Sequence, residues 1–291
     1  MHVAIQLIGF LPIFLGILAA TFIPVYLALY LLSKLSASNI KYVAAAGIGL
    51  TFWFFFDTMG DAVSLDANNS IYPFDLFGGL PHWGLIIAFI LGVTALAIFD
   101  HVAVPGPSRS SRNGGGEWYS MAFVIPAALA LVMGIHGLGE GWDASSAVAA
   151  APVNSSDILT ALTQAFGTYS AVASYPMHKF LEASIVGAVY ACYVTMTGGA
   201  VKAKRWHIPL LGLLFAGPSV VGAGLGYFIT LDTSYFYAFG VTSALYAAVR
   251  LAGPLVSDFK VGVNAPSYLG PKVFASMALG FFLLYTAALL H

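Results

Sequence analysis

The chain has 291 residues, of which 59% are hydrophobic and only 8% charged, with a formal net charge of −1 and a mean hydropathy of +0.88. A soluble domain carries roughly a quarter charged residues, so this composition excludes a soluble globular protein and reads as an integral membrane protein. Near-neutral charge argues against a nucleic-acid partner, and a single cysteine, Cys192, excludes an internal disulfide.

A membrane-crossing helix needs about 20 mainly apolar residues. Eight such runs occur in chain order, at about 7–33, 42–64, 83–101, 119–142, 169–199, 207–230, 235–256 and 271–290. No short basic segment with a small-residue cleavage site precedes the first run, so it is expected to be a retained span rather than a signal peptide. The expected fold is all-α and polytopic, a single transmembrane domain over 1–291. Residues 102–117, with Pro105-Gly106-Pro107 and Gly114-Gly115-Gly116, have the composition of a flexible loop. Residues 143–168 are Ala- and Ser-rich, with Asp143 and Asp157 as their charges, and are expected to form the other long connection.

Basic residues sort these connections. Lys34 and Lys41 lie between spans one and two, Arg109 and Arg112 between three and four, Lys202, Lys204 and Arg205 between five and six, and Lys260 and Lys272 between seven and eight. The alternate connections carry Asp66, Asp75, Asp157 and Asp232 instead. The positive-inside rule then places the basic loops in the cytoplasm and both termini outside, in a multi-pass protein of the cell membrane. Arg250, near the inner end of span seven, reaches the same side by snorkelling. Lys179, in the middle of span five, does not fit this pattern.

Spans four and five each hold a histidine four residues before a glutamate: His136 and Glu140, then His178 and Glu182. On a helix, i and i+4 share a face. If spans four and five are antiparallel neighbours, two imidazoles and two carboxylates meet, enough to hold a divalent metal. Ionisable groups in a bilayer are expensive and point to function. A histidine taken singly is more often a hydrogen-bonded core residue; the repeat of the pattern favours the joint site. Asp57 and Asp61 on span two and Asp143 at the end of span four read either as satisfied carboxylates or as an acidic route that attracts a cation from outside. Lys179 needs an anionic partner, and Glu182 and Glu140 are both within reach. Its charge reads as a structural ion pair, or as standing where a second cation would otherwise sit.

His136-Gly-Leu-Gly-Glu140-Gly141 resembles the fourth-span His-Asn-x-Pro-Glu-Gly motif of the ZIP (Zrt/Irt-like) metal transporters, and His178-Lys-Phe-Leu-Glu182 resembles their fifth-span His-x-x-x-Glu motif. Gly217-Pro218 and the following Gly222, Gly224 and Gly226 look like that family's sixth span. The resemblance implies a ZIP-like bundle of eight helices with both termini outside. It also implies that His136, Glu140, His178 and Glu182 occupy first-site ligand positions. Where the family builds its second site, this chain has Gly137, Lys179 and Gly217, so the resemblance implies one metal site kept and the other replaced by a lysine charge.

The expected function is therefore transport of a divalent cation, zinc first among Zn²⁺, Fe²⁺, Mn²⁺ and Co²⁺, into the cytoplasm. The alternative is a membrane subunit that kept the fold and lost transport, with a structural metal or none. The matching partners are the cation, the bilayer, and either a second copy of the chain or the other subunits of a membrane complex. A metalloenzyme is disfavoured, because neither a further general base nor a Walker or dinucleotide glycine fingerprint stands in the sequence.

Overall fold

The computed structural model describes residues 2–35, 39–69, 82–103, 123–150, 157–196, 204–231, 233–256 and 270–289. All regular structure among them is helical: α1 (His2–Leu32), α2 (Ile40–Asn69), α3 (His82–Ala103), α4 (Val124–Ala150), α5 (Ile158–Phe166), α6 (Tyr169–Met196), α7 (His207–Gly226), α8 (Ser234–Val256) and α9 (Pro271–Leu289). Apolar segments in lipid have no water to satisfy their peptide groups, and a helix satisfies them within the segment. Helices α1, α2, α4, α7 and α9 are each long and apolar enough to cross a membrane. The described residues are thus all-helical, with five helices of membrane-crossing length and apolarity, the make-up of an all-α membrane protein.

The connection expected at 143–168 is mostly helical. α4 continues through Asp143 to Ala150, and Ile158–Phe166 forms a separate helix, α5. Small residues such as Ala144, Ala147 and Ser145 do not stop a helix that already has a face to bury. α5 is capped by Asp157, whose carboxylate accepts from the Thr160 backbone N–H at 2.9 Å and the Thr160 hydroxyl at 2.7 Å. Those hydrogen bonds hold the exposed Asp157 carboxyl below the ordinary aspartate range. Gly167 ends α5 at φ +81°, a backbone conformation that glycine adopts without strain. Of the loop expected at 102–117, residues 102–103 finish α3, and 104–117 lie outside the described residues.

The helices gather in two groups. α4 and α7 form the most extensive pair, and α1 packs on both α6 and α7, with α5 laid against α1 and α4. In the second group α2 packs on α8 and α9, and α3 packs on α8. The groups meet chiefly where α8 touches α4 and α2 touches α6. The expectation that spans four and five are close packing neighbours needs correction: α4 and α6 meet over only a short stretch, and the main partner of α4 is α7.

Glycine explains that preference. A Cβ on Gly141 would run into the Ser219 carbonyl, and one on Gly222 into the Leu138 carbonyl, so α4 and α7 touch backbone to backbone. Close approach through small residues is the usual basis of helix association in lipid, where no hydrophobic force draws helices together. The same device joins α2 to α9, where Gly280 lies against the Ala46 carbonyl. The largest core cluster, including Phe54, Leu129, Met133, Ile185 and Val186, fills the bundle on one side of the polar centre of α4 and α6.

Positive charge is segregated to one end of the bundle. Every described Lys and Arg except Lys179 stands at the end where α1, α6 and α8 finish and α2, α7 and α9 begin. Asp61, Asp143 and Asp157 stand toward the other. Replacing Gly141 or Gly222 by leucine is expected to destabilise the protein by about 1–3 kcal/mol or more, read as a lower unfolding midpoint in detergent. Gly60→Ala, which meets nothing within 4 Å inside α2, should leave the midpoint unchanged or raise it slightly.

Candidate metal centre

The polar centre is built from one turn each of α4 and α6. His136 and Glu140 project together from α4, and His178, Lys179 and Glu182 project from α6. His136, His178, Lys179 and Glu182 are all buried, Lys179 and Glu182 at 0% exposure. Ligand atoms of His136, Glu140 and Glu182 all lie within 4.8 Å of one another, so these three residues could hold a metal ion.

The carboxylates divide their oxygens between two tasks. Lys179 Nζ donates to Oε2 of Glu182 at 2.5 Å and is ion-paired with Oε2 of Glu140. The Oε1 oxygens face the imidazoles instead. His136 Nε2 is 3.4 Å from Oε1 of Glu140 and 3.6 Å from Oε1 of Glu182, and His178 Nε2 is 3.0 Å from Oε1 of Glu182. One ammonium thus offsets one of the two negative charges and orients both carboxylates from one side, and leaves an oxygen of each directed at an imidazole nitrogen. The Tyr175 ring lies 5.6 Å from the same ammonium and flanks it with a cation–π contact.

His136 shows what the site is shaped for. Its ring is held edge-on by Phe54 at 5.2 Å and Tyr237 at 5.0 Å, and Gly240 lets α8 come against it. Neither ring nitrogen makes a hydrogen bond among the described residues. Leaving a buried polar group without a hydrogen bond costs about 1–3 kcal/mol. A fixed imidazole whose Nε2 faces two carboxylate oxygens at 3.4 and 3.6 Å, without hydrogen-bonding to either, leaves a position where a cation could sit among the three. Nitrogen and carboxylate donors of this kind suit zinc and its neighbours among divalent metals.

The other expected residues take different places. His178 lies outside the tight three-residue group; it reaches the group through Glu182 and also faces Asp57 Oδ2 at 3.8 Å. Asp57, Asp61 and Asp143 line a cavity of about 520 Å³ together with Glu140, His178 and Tyr237. It extends from the centre toward the end of the bundle that carries the acidic residues. The opposite side is closed by the apolar core around Met133, Phe54 and Ile185.

Three participants were not read from the sequence. Asp143 accepts hydrogen bonds from Thr233 at 2.9 Å and from the Tyr237 hydroxyl at 3.0 Å, which ties α4 to the start of α8 at the mouth of the cavity. Ser219, on α7, is fully buried beside Gly137, and its hydroxyl makes no hydrogen bond among the described residues. No spacing rule links residues so far apart in the chain; a Tyr and a Thr opening an apolar run were the available signal for the Asp143 contact.

Neither protein-family models nor curated proteins match this chain.

Removing Lys179 leaves two carboxylates buried against each other. Lys179→Met is expected to destabilise the protein by about 3–5 kcal/mol, seen as a lower unfolding midpoint. Adding Glu140→Gln to that variant should restore much of the loss, since one of the two uncompensated charges is then gone.

Proposed function

We propose that this chain is a ZIP-like transporter that carries a divalent metal cation, zinc being the best match, through a single site on α4 and α6. The observation that carries this reading is the convergence of His136, Glu140 and Glu182 around Oε1 oxygens that Lys179 leaves free. His178, adjoining Glu182 and Asp57, is the fourth ligand or the residue that hands the ion to the site. The cation arrives along the acidic cavity past Asp61, Asp143 and Asp57. A row of carboxylates between low-dielectric walls raises the local cation concentration.

Support for eight spans comes from length. At a 1.5 Å rise per residue, the 22, 28 and 23 residues of α3, α6 and α8 measure about 33, 42 and 35 Å. The segregation of basic residues to one bundle end supports the cell-membrane orientation in which both termini face outside. Transport then requires the site to exchange the acidic cavity for an opening at the basic end. The two helix groups supply the moving parts: the metal residues sit on the α1–α4–α6–α7 group, and α2, α3, α8 and α9 form the wall against which it rocks. The contacts of His178 with Asp57 and of Asp143 with Tyr237 cross that boundary and are remade in each cycle.

A second reading is favoured by one observation. Lys179 already supplies a buried positive charge to both glutamates, as a membrane subunit would need if it had kept the fold and given up transport. Metal uptake into vesicles reconstituted with the full chain separates the two. Transport predicts saturable zinc uptake that Glu140→Ala and His178→Ala each reduce at least tenfold. Uptake that is absent from the wild-type protein, with the chain recovered in a stoichiometric membrane complex, supports the subunit reading.

A further inference from the structure

At the basic end of the bundle, far from the metal cluster, a groove of about 660 Å³ runs between the second half of α1 and the start of α7. Its floor is specifically built. Tyr26 packs over Gly212, where a Cβ would meet the phenol ring at 2.8 Å. Its hydroxyl donates to the Pro209 carbonyl at 3.0 Å, fixing α1 against α7. The walls are apolar and turned outward: Ile23, Leu27 and Tyr30 are each at least half exposed. In a membrane protein those faces contact acyl chains.

The groove ends on cations. Lys34 follows α1, Lys204 and Arg205 precede α7, and all three are exposed and line its end. No acidic side chain lines it among the described residues. The ammonium of Lys34 lies 5.2 Å from the Tyr30 ring, and that of Lys204 5.8 Å from the Trp206 ring. Amphipathic rings beside cations mark the level of the headgroups. An apolar trough open to lipid, closed at the interface by three positive charges from two helices, matches one ligand chemistry: an acyl chain joined to a phosphate.

We propose that the α1–α7 groove is a binding site for an anionic phospholipid, with an acyl chain along Ile23 and Leu27 and the phosphate held by Lys34, Lys204 and Arg205. Each basic side chain near an anionic headgroup adds binding energy, so three together select a charged lipid over a zwitterionic one. The site does not depend on metal transport, and the lipid buttresses α7, the close partner of the helix that carries His136 and Glu140.

Native mass spectrometry tests this on the purified full chain, equilibrated in mixed micelles holding equal amounts of dioleoylphosphatidylglycerol and dioleoylphosphatidylcholine. The wild type is expected to retain phosphatidylglycerol preferentially. Lys34→Gln/Lys204→Gln/Arg205→Gln should lose that preference roughly tenfold or more. Lys41→Gln/Lys272→Gln, at the same end but outside the groove, should keep it. Ile23→Trp, which fills the trough and leaves the cations, should also weaken retention. Equal retention of both lipids by the wild type, an unchanged triple variant, or full displacement of phosphatidylglycerol by millimolar inorganic phosphate would overturn the proposal; the last outcome would mean a simple anion site.

Discussion

A single ammonium group organises the middle of this protein. Lys179 is fully buried in a helix within an apolar bundle and is ion-paired with Glu140 and Glu182 on two different helices. An ionised group at that depth is tolerated only with partners, and each partner is itself too expensive to leave alone. The three charges therefore fix one another. α4 and α6 pack together only briefly, and this contact is made where they meet. Because Lys179 takes the Oε2 oxygens, the geometry of the remaining oxygens follows, and with it the separation of His136 from both carboxylates.

The surrounding packing serves that arrangement. Glycines let α7 lie directly on α4, which brings Ser219 beside Gly137 and places the α4 polar face away from α7 and toward α6 and α8. Phe54 and Tyr237 clamp the His136 ring from α2 and α8. The site is polar and open on one side, apolar and closed on the other. Such asymmetry matches the one-sided step of the transport cycle proposed above. In that proposed cycle, the contacts that would break for an ion to leave are those between the two helix groups rather than those within them.

Much of the centre was legible in the sequence because its geometry is local. The i, i+4 spacing of His136 with Glu140 and of His178 with Glu182 fixes a shared face on any helix, and Glu182 is one turn from Lys179. The contact of Lys179 with Glu140 follows from energetics, since few carboxylates lie within reach of a buried cation. What could not be read depends on how helices choose neighbours. Nothing local says that Gly141 and Gly222 belong together, so α7 rather than α6 as the main partner of α4 had to come from the structure. The hydrogen bonds from Thr233 and Tyr237 to Asp143 are of the same kind. The helical course of 143–150 and of α5 was hidden by Ala- and Ser-rich composition, which suits a loop and a helix equally. Likewise His178 shares its face with Glu182 as spacing demands, yet stands one step outside the three-residue group, between Glu182 and Asp57 of α2.

The account stands on one cation position framed by His136, Glu140 and Glu182. The metal content of the purified full chain, equilibrated with zinc and freed of unbound ion, measures it most directly. The account predicts close to one zinc per chain in the wild type and a marked loss in both Glu140→Gln and Glu182→Gln. A wild type that retains no zinc, or variants that retain as much as the wild type, would contradict it.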